Sequence, residues 1–289
     1  MTLLIGVSSF LGTIQKSKDV LSCQKGDASM ENDCMNTYWS GQAENFTGIS
    51  LYELKSEAYD IWQKKLAGAL PKNRRLTILD IGCGAGFFGI LLSRMGHSVT
   101  ESDFNEDMLE QARKNVAAEG RTELVSFVRA DAQQLPFPDC SFDAVVSRNI
   151  SWVLREPERA YSEWLRVLKP GGRLINFDGN WFLHRMDSKA KREYERGSEL
   201  VKAAGAALAV SDHSKAVDEQ IDSLPMSGRR RPDWDVNYLS ALDCAEVDVD
   251  PMLPIEIYDD YYRLQYRYIP TFMIGVTKPL YRTCEIMSE

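Results

Sequence analysis

Leu79-Asp80-Ile81-Gly82-Cys83-Gly84-Ala85-Gly86 is the stretch that decides the fold. It continues an apolar run, Leu76 to Ile81, that reads as a short strand buried on both faces, as in a parallel sheet. An apolar helix, Gly86–Met95, follows at once. Glycines at 82, 84 and 86 permit positive φ and a close approach of the main chain to a ligand, and the free amides of the helix start point outward. Alone, such a loop also suits a plain strand-to-helix turn. Its spacing separates cofactor classes. A dinucleotide fingerprint needs its third glycine at position 87, which is Phe87, whereas here the third is Gly86. Pyrophosphate binding is thereby disfavoured, and a cofactor without phosphates, met by backbone near an amino-acid or ribose group, fits better.

Working outward, strands and helices alternate. A leading helix with apolar residues at helical spacing (Leu51, Leu54, Ala58, Ile61, Trp62, Leu66) runs from Asn45 to Leu70 and stops at Pro71. After the glycine turn come strand His97–Ser102, helix Glu106–Ala118 capped by Asn105, strands Glu123–Arg129 and Phe142–Ser147, helix Pro157–Leu168 opened by its proline, and strand Arg173–Phe177. Lys169-Pro170-Gly171-Gly172 is read as the end of the last helix. Strands near 245–249 and 272–277 complete a seven-stranded, mostly parallel α/β sheet of Rossmann-like type, with helices on both faces and an inserted helical cap. The expected divisions are an extension at 1–34, poorly ordered; a leading helical segment at 35–70; the core at 71–180; the cap at 181–242; and a terminal strand pair at 243–289.

Composition narrows the function. With 289 residues, 44% hydrophobic and 26% charged, the chain has ample core for one large α/β domain plus a smaller cap. A net charge of −8 argues against a nucleic-acid substrate, and the run Arg229-Arg230-Arg231 is read as a solvated loop. The six cysteines lack CxxC or metal-ligand spacing, and the three histidines form no HExxH pair, so no metal site is expected. A reducing cytoplasm is the natural compartment. Met1 to Ile14 is apolar but lacks the basic flank and cleavage site of a signal peptide, and it is too short to span a bilayer, so no membrane partner is expected.

Asp103, at the end of the second strand, is placed to accept both hydroxyls of a ribose, with Glu101 two residues earlier as its competitor; Asp103 is preferred because it immediately precedes the helix entry. Without the glycine motif it reads equally as a helix-capping acid. Five segments now stand in order: Ile78–Phe87, the acid Asp103, Ala130-Asp131-Ala132 with Leu135-Pro136-Phe137, Phe142–Ser147, and Arg166–Gly172. Together they resemble the successive motifs of class I S-adenosylmethionine-dependent methyltransferases, most of all the small-molecule branch that includes the quinone and sterol enzymes. The resemblance covers residues 71–180. It implies S-adenosylmethionine as cofactor, with Gly82, Gly84 and Gly86 beside its methionine portion and Asp80 holding the loop through a water or the cofactor's ammonium. Asp103 would take the ribose, Phe104 would lie against the adenine, and Asp131 and Ala132 would meet the adenine edge. Arg148 and Asn149 would close over the methionine moiety. The sequence departs from the family in Glu101, where an apolar or small residue is usual.

Methyl transfer from a sulfonium needs mainly the near-attack placement of two reactants, which accords with the lack of any visible triad or paired carboxylates. Asp178 and His184, after the fifth strand, are weak candidates for a general base, read otherwise as a helix cap and a surface histidine. An aromatic acceptor pocket is expected from Trp39, Trp152 and Trp181, with Tyr38, Tyr258, Tyr261 and Tyr262 as further contributors, and the cap is expected to be mobile. The partner is then a small-molecule methyl acceptor, and the chain a monomer or homodimer. Competing readings are a non-catalytic S-adenosylmethionine sensor or scaffold and, with less support, a nucleotide-dependent oxidoreductase.

Overall fold

A computed structural model describes residues 28–203, 215–242, 246–251 and 269–280. Expectations for residues elsewhere, among them residues 1–27 and Tyr258, Tyr261 and Tyr262, lie outside the described residues. The elements in chain order are α1 (Ala28–Lys55), α2 (Ala58–Ala69), β1 (Thr77–Ile81), α3 (Phe87–Arg94), β2 (Ser98–Asp103), α4 (Glu106–Ala118), β3 (Val125–Arg129), β4 (Phe142–Arg148), α5 (Pro157–Val167) and β5 (Leu168–Gly179). The cap contributes α6 (Leu183–Met186), α7 (Ser188–Ala203), α8 (Lys215–Ser223) and α9 (Asp233–Ser240), and β6 (Glu246–Asp250) and β7 (Thr271–Thr277) follow. The strands form one seven-stranded sheet in the order β3-β2-β1-β4-β5-β7-β6. β1 to β5 run parallel, whereas β7 is antiparallel to both β5 and β6. The fold is the expected Rossmann-like α/β arrangement.

Period-two alternation sends each strand's side chains to opposite layers. From β1, Ile78 enters a core with Trp62, Leu66, Phe87, Phe88, Ile175 and Phe177. Its neighbour Leu79 enters the other, with Val145, Tyr161, Trp164, Leu174 and Ile274. Trp62 is fully buried and meets Phe87, Phe88 and Phe177 edge-on at centroid distances of 6.0, 5.5 and 5.0 Å.

Local signals in the sequence explain the ends of several elements. The Asn105 side chain accepts the Met108 N–H at 2.9 Å and so caps α4, and Pro157 opens α5 where its missing N–H costs nothing. Three boundaries differ from expectation. The leading helix is two helices, because the chain breaks at Ser56, whose N–H and hydroxyl both turn back to the Glu53 carbonyl. Helix α1 already begins at Ala28, so residues 28–34 are helical and not part of a loose extension. β5 begins at Leu168, paired with Phe142, and Lys169 to Gly172 form an irregularity inside the strand and not a linker before it. Gly172 allows this: a Cβ there would lie 2.7 Å from the Lys169 carbonyl oxygen. Finally, Cys140 is disulfide-bonded, whereas Cys83 is free and buried.

Among the described residues no helix is long and apolar enough to cross a membrane. Trp62→Ala is expected to destabilise the protein by about 3–5 kcal/mol, since it removes a large side chain that its neighbours cannot fully replace. Urea unfolding followed by circular dichroism measures the loss; a change below about 1 kcal/mol, inside the range of ordinary surface substitutions, would place Trp62 outside the core that holds α2 to the sheet.

Candidate functional site

The glycine turn is fastened to its neighbours by backbone bonds. The N–H groups of Gly82 and Cys83 both donate to the Ser102 carbonyl, at 2.8 and 3.0 Å, and the Asn115 amide donates to the Ala85 carbonyl at 2.9 Å. All three glycines have positive φ (66°, 54° and 88°), a conformation that L side chains rarely adopt. Their surroundings differ. A Cβ on Gly82 would stand 2.4 Å from Ile150 Cδ1, and one on Gly86 3.1 Å from Ala112 Cβ, so both are packed against protein. Nothing lies within 4 Å of the Cβ position of Gly84. Of the three, Gly84 is the one whose bare backbone faces open space.

Acids gather at the ends of these strands. Parallel register puts Asp80 of β1 directly beside Glu101 of β2, and Asp103 ends the same strand. Asp103 is half-buried; one carboxylate oxygen accepts the Gly84 N–H at 3.0 Å and the other the Asn105 N–H at 2.9 Å. Burial nevertheless raises its pKa, against those amides. Asp80 is buried, and its pKa is pushed up to about 8, first by burial and then by the Asp103 charge, with Arg148 opposing. Glu101 is wholly buried, and neither oxygen has a hydrogen-bond partner. It lies so close over Gly89 that a Cβ there would be impossible, and although the Gly89 amide favours the charged form, it does not reach hydrogen-bonding geometry. Burial, then Asp80, pushes the pKa of the Glu101 carboxyl well above the usual range. Sealed in this way, Glu101 does not reach the opening beside Gly84, and Asp103 does.

The remaining expected residues are placed as follows. Phe104 is exposed, with the Arg129 guanidinium 5.4 Å over its ring. Asp131 is exposed and folded onto its own turn, accepting the Gln133 N–H at 2.8 Å, while the buried Ala132 gives its carbonyl to the Trp164 indole. Asn149 has a left-handed backbone (φ 57°) and donates to the Phe177 carbonyl at 2.8 Å. Arg148 lies over the Trp62 and Phe87 rings and forms a two-pronged ion pair with Glu53 of α1, both bonds 2.7 Å. It therefore ties α1 to the end of β4. Glu53 was missed because nothing in sequence marks it; the one hint is an acid next to Leu54 on the apolar side of the leading helix.

Two of the three tryptophans expected in an acceptor pocket come together. Trp39 and Trp152 meet at 6.3 Å, and Trp152 meets Phe182 at 5.6 Å, both edge-on, with Tyr38 and Ile221 in the same cluster. Trp181 departs from expectation. Its indole N–H donates to Asp178 at 2.7 Å and its ring lies over Gly179, and the next residue, Phe182, supplies the ring at the cluster. A one-residue choice between adjacent aromatics cannot be made from periodicity in a loop.

Asp178 is no free base. It is fully buried, receives the Gly179 N–H and the Ser151 hydroxyl, and pairs with Arg231 at 2.9 Å. His184 stacks on Tyr194 at 4.1 Å; burial, then Arg185, lowers its pKa, so the imidazole is neutral at neutral pH. The reading of 229–231 as a solvated loop is corrected in part: Arg230 is exposed and Arg229 pairs with Glu158, but the Arg231 side chain is 1% exposed.

Comparison with known proteins bears on this geometry. Residues 79–176 match the methyltransferase domain family. The matched segment carries β1 to β5 and the glycine turn. Among curated proteins, the chain is 38% identical over 141 residues to the demethylmenaquinone methyltransferase of Clavibacter sepedonicus, covering 44% of this chain and 55% of that one. It is 35% identical over 167 residues to the ubiquinone/menaquinone biosynthesis C-methyltransferase UbiE of Pseudomonas entomophila, covering 53% and 63%. The chain thus spans between half and two thirds of the length of these relatives. Among solved structures, Haemonchus contortus phosphoethanolamine N-methyltransferase 2, in complex with S-adenosyl-L-methionine, superposes with a TM-score of 0.52 at 19% identity, over 77% of this chain and 52% of that one. The [4+2]-cyclase SpnF does so with a TM-score of 0.50 at 19% identity, over 76% and 82%. At these identities the structures share the fold.

The raised acids give a stability signature. A carboxylate whose folded pKa lies above its unfolded value stabilises the fold below the unfolded pKa and loses that contribution as pH rises through the folded one. For Asp80 the window runs from 3.8 to about 8, and Glu101 acts in the same direction. The ligand-free protein is therefore expected to lose stability from about pH 5 to about pH 8.5, and Asp80→Asn to flatten this decline and melt higher than wild type at the alkaline end. Melting curves across this range are the check. A wild-type stability that rises with pH would mean that Asp80 ionises at its ordinary value.

Proposed function

We propose that the chain transfers a methyl group from S-adenosylmethionine to a small, apolar, ring-bearing acceptor. The observation that carries this reading is the open face of Gly84 at the ends of β1 and β2, flanked by Asp80 and Asp103. A backbone without Cβ admits a ligand in close contact, and two acids held in place by the fold suit a cation and a diol. Asp80, whose charge the fold itself leaves undercompensated, would hold the amino group of the methionine portion. Asp103 would accept the ribose hydroxyls, Phe104 would lie against the adenine, and Asp131 and Ala132 would meet the adenine edge. Arg148 and Asn149 would contribute by shaping the floor, since the Arg148 guanidinium is taken up by Glu53. When bound, the cofactor supplies an electrophilic methyl carbon on a sulfonium.

The acceptor would lie against Trp39, Trp152 and Phe182. Their rings exclude water and present π faces that favour a nearby cation. The Clavibacter and Pseudomonas relatives carry names that specify quinone methylation, and a flat apolar ring is what this wall suits. With Asp178 held in a buried ion pair, His184 is the better placed of the two candidates to accept a proton from an acidic acceptor.

Calorimetry and transfer of a labelled methyl group to a short-chain demethylmenaquinol test the proposal. Saturable binding of S-adenosylmethionine, competitive with its demethylated product, and label in the quinol fraction are expected. Binding of a nicotinamide cofactor in its place would sink the reading, and binding without transfer to any acceptor in a cell extract would leave a sensor. Asp103→Ala should weaken cofactor binding by about 1–3 kcal/mol, the worth of hydrogen bonds to a charged acceptor. Glu101→Gln should leave it within about twofold, because the sealed side chain contributes no ligand contact to lose.

A further inference from the structure

Four chain segments far apart in sequence meet in one buried polar cluster at the ends of β4 and β5. Arg231, between the cap's α8 and α9, is its hub. Its guanidinium donates to both oxygens of Asp235 (2.9 and 2.7 Å), to Asp178 Oδ2 (2.9 Å) and to the Ser151 hydroxyl (2.8 Å). Asn176 donates to Ser151 Oγ and to Tyr161 Oη, each at 3.0 Å, and the Tyr161 hydroxyl donates to Asp235 at 2.6 Å. The side chains of Arg231, Asp178 and Asp235 are at most 1% exposed. Removing three charges from water is repaid only by full pairing, so a cluster of this kind tolerates few geometries.

The two loops held by the hub are the ones that carry the aromatic wall. Ser151 immediately precedes Trp152 in the short turn Ser151–Val153. On the other side Asp178 receives the Gly179 and Trp181 N–H groups, and the Asn180 amide donates to the Arg231 carbonyl at 3.1 Å, which fixes the chain just before Phe182. Trp152 and Phe182 then meet edge-on. None of these hydrogen bonds reaches the glycine turn, which hangs from Ser102, Asp103 and Asn115 and meets the loop after β4 through the apolar contact of Ile150 with Gly82.

We propose that Arg231 is a positioning residue for the methyl acceptor: it locks the loops after β4 and β5 to the cap so that Trp152 and Phe182 form one wall, while the glycine turn keeps a separate set of hydrogen bonds. Arginine is required because its planar fork reaches two carboxylates and a hydroxyl at once, which the single point charge of lysine does not. The acceptor itself rests on the methyl-transfer reading; the locking of the loops does not.

Hydrogen exchange on the full chain separates the two. In Arg231→Gln, residues 150–153 and 179–183 should exchange at least about tenfold faster, the equivalent of one lost hydrogen bond, while residues 82–87 keep wild-type protection. Affinity for S-adenosylhomocysteine should stay within about twofold, whereas KM for the short-chain demethylmenaquinol should rise about tenfold with kcat changed far less, the pattern of lost acceptor binding. Arg231→Lys should recover only part of the protection. Ser151→Ala, which removes one hydroxyl and leaves both ion pairs, serves if Arg231→Gln does not accumulate folded, and should loosen 150–153 in the same way. Unchanged exchange in both loops, or an equal rise at 82–87, overturns the proposal, as does a parallel loss of cofactor affinity and acceptor KM. If wild type methylates no acceptor, the functional reading falls, and the exchange pattern alone decides whether Arg231 locks the loops.

Discussion

The opening of the candidate site depends on a turn built from glycines at positive φ, a conformation that L side chains rarely adopt. Three positive-φ positions within five residues reverse β1 into α3, and each answers a different neighbour. Ile150 fills the space over Gly82, and α4 presses on Gly86, so that β4, α4 and the turn are fixed together. Gly84 is left between them with its backbone uncovered. The opening is thus a consequence of packing on both sides of it and not of a loose loop.

Parallel pairing then imposes an electrostatic cost. Strands that run the same way end on the same edge, so acids that finish β1 and β2 are brought side by side. Asp80, Glu101 and Asp103 are all shifted towards their protonated forms. The fold meets part of the cost with the amides that Gly84 and Asn105 turn to Asp103, while Glu101 is sealed over Gly89. What it leaves unmet, at Asp80, is a preference for a cation. This crowding of acids follows from strand direction and residue type together.

The aromatic cluster is built differently, from residues that sequence order keeps apart. Trp39 comes from α1, Trp152 from the turn after β4, Phe182 from the chain after β5 and Ile221 from α8. Each is an ordinary apolar residue in its own segment. Glu53 and Arg231 are likewise unremarkable in sequence, the one in an amphipathic helix and the other in a run of three arginines. Their roles come from partners 95 and 53 residues away, Arg148 and Asp178. No local pattern encodes a partner at that distance, which is why the arginine run reads as solvated and why sequence does not show that Phe182, next to Trp181, is the ring that meets Trp152.

The amino-acid sequence by itself determined the strand and helix alternation, the sheet class, the glycine turn and the choice of Asp103 as the acid beside it. These follow from short-range physics: the period of burial, the helix caps at Asn105 and Pro157, and the φ freedom of glycine. Tertiary structure alone decided which glycine stays open, that Glu101 is sealed, that Lys169 to Gly172 lie within β5, and which aromatics meet. Each of those outcomes depends on what packs against a residue from elsewhere in the chain. A buried charge or an empty Cβ position acquires its meaning only when the neighbour that fills it, pairs it or leaves it open is in place.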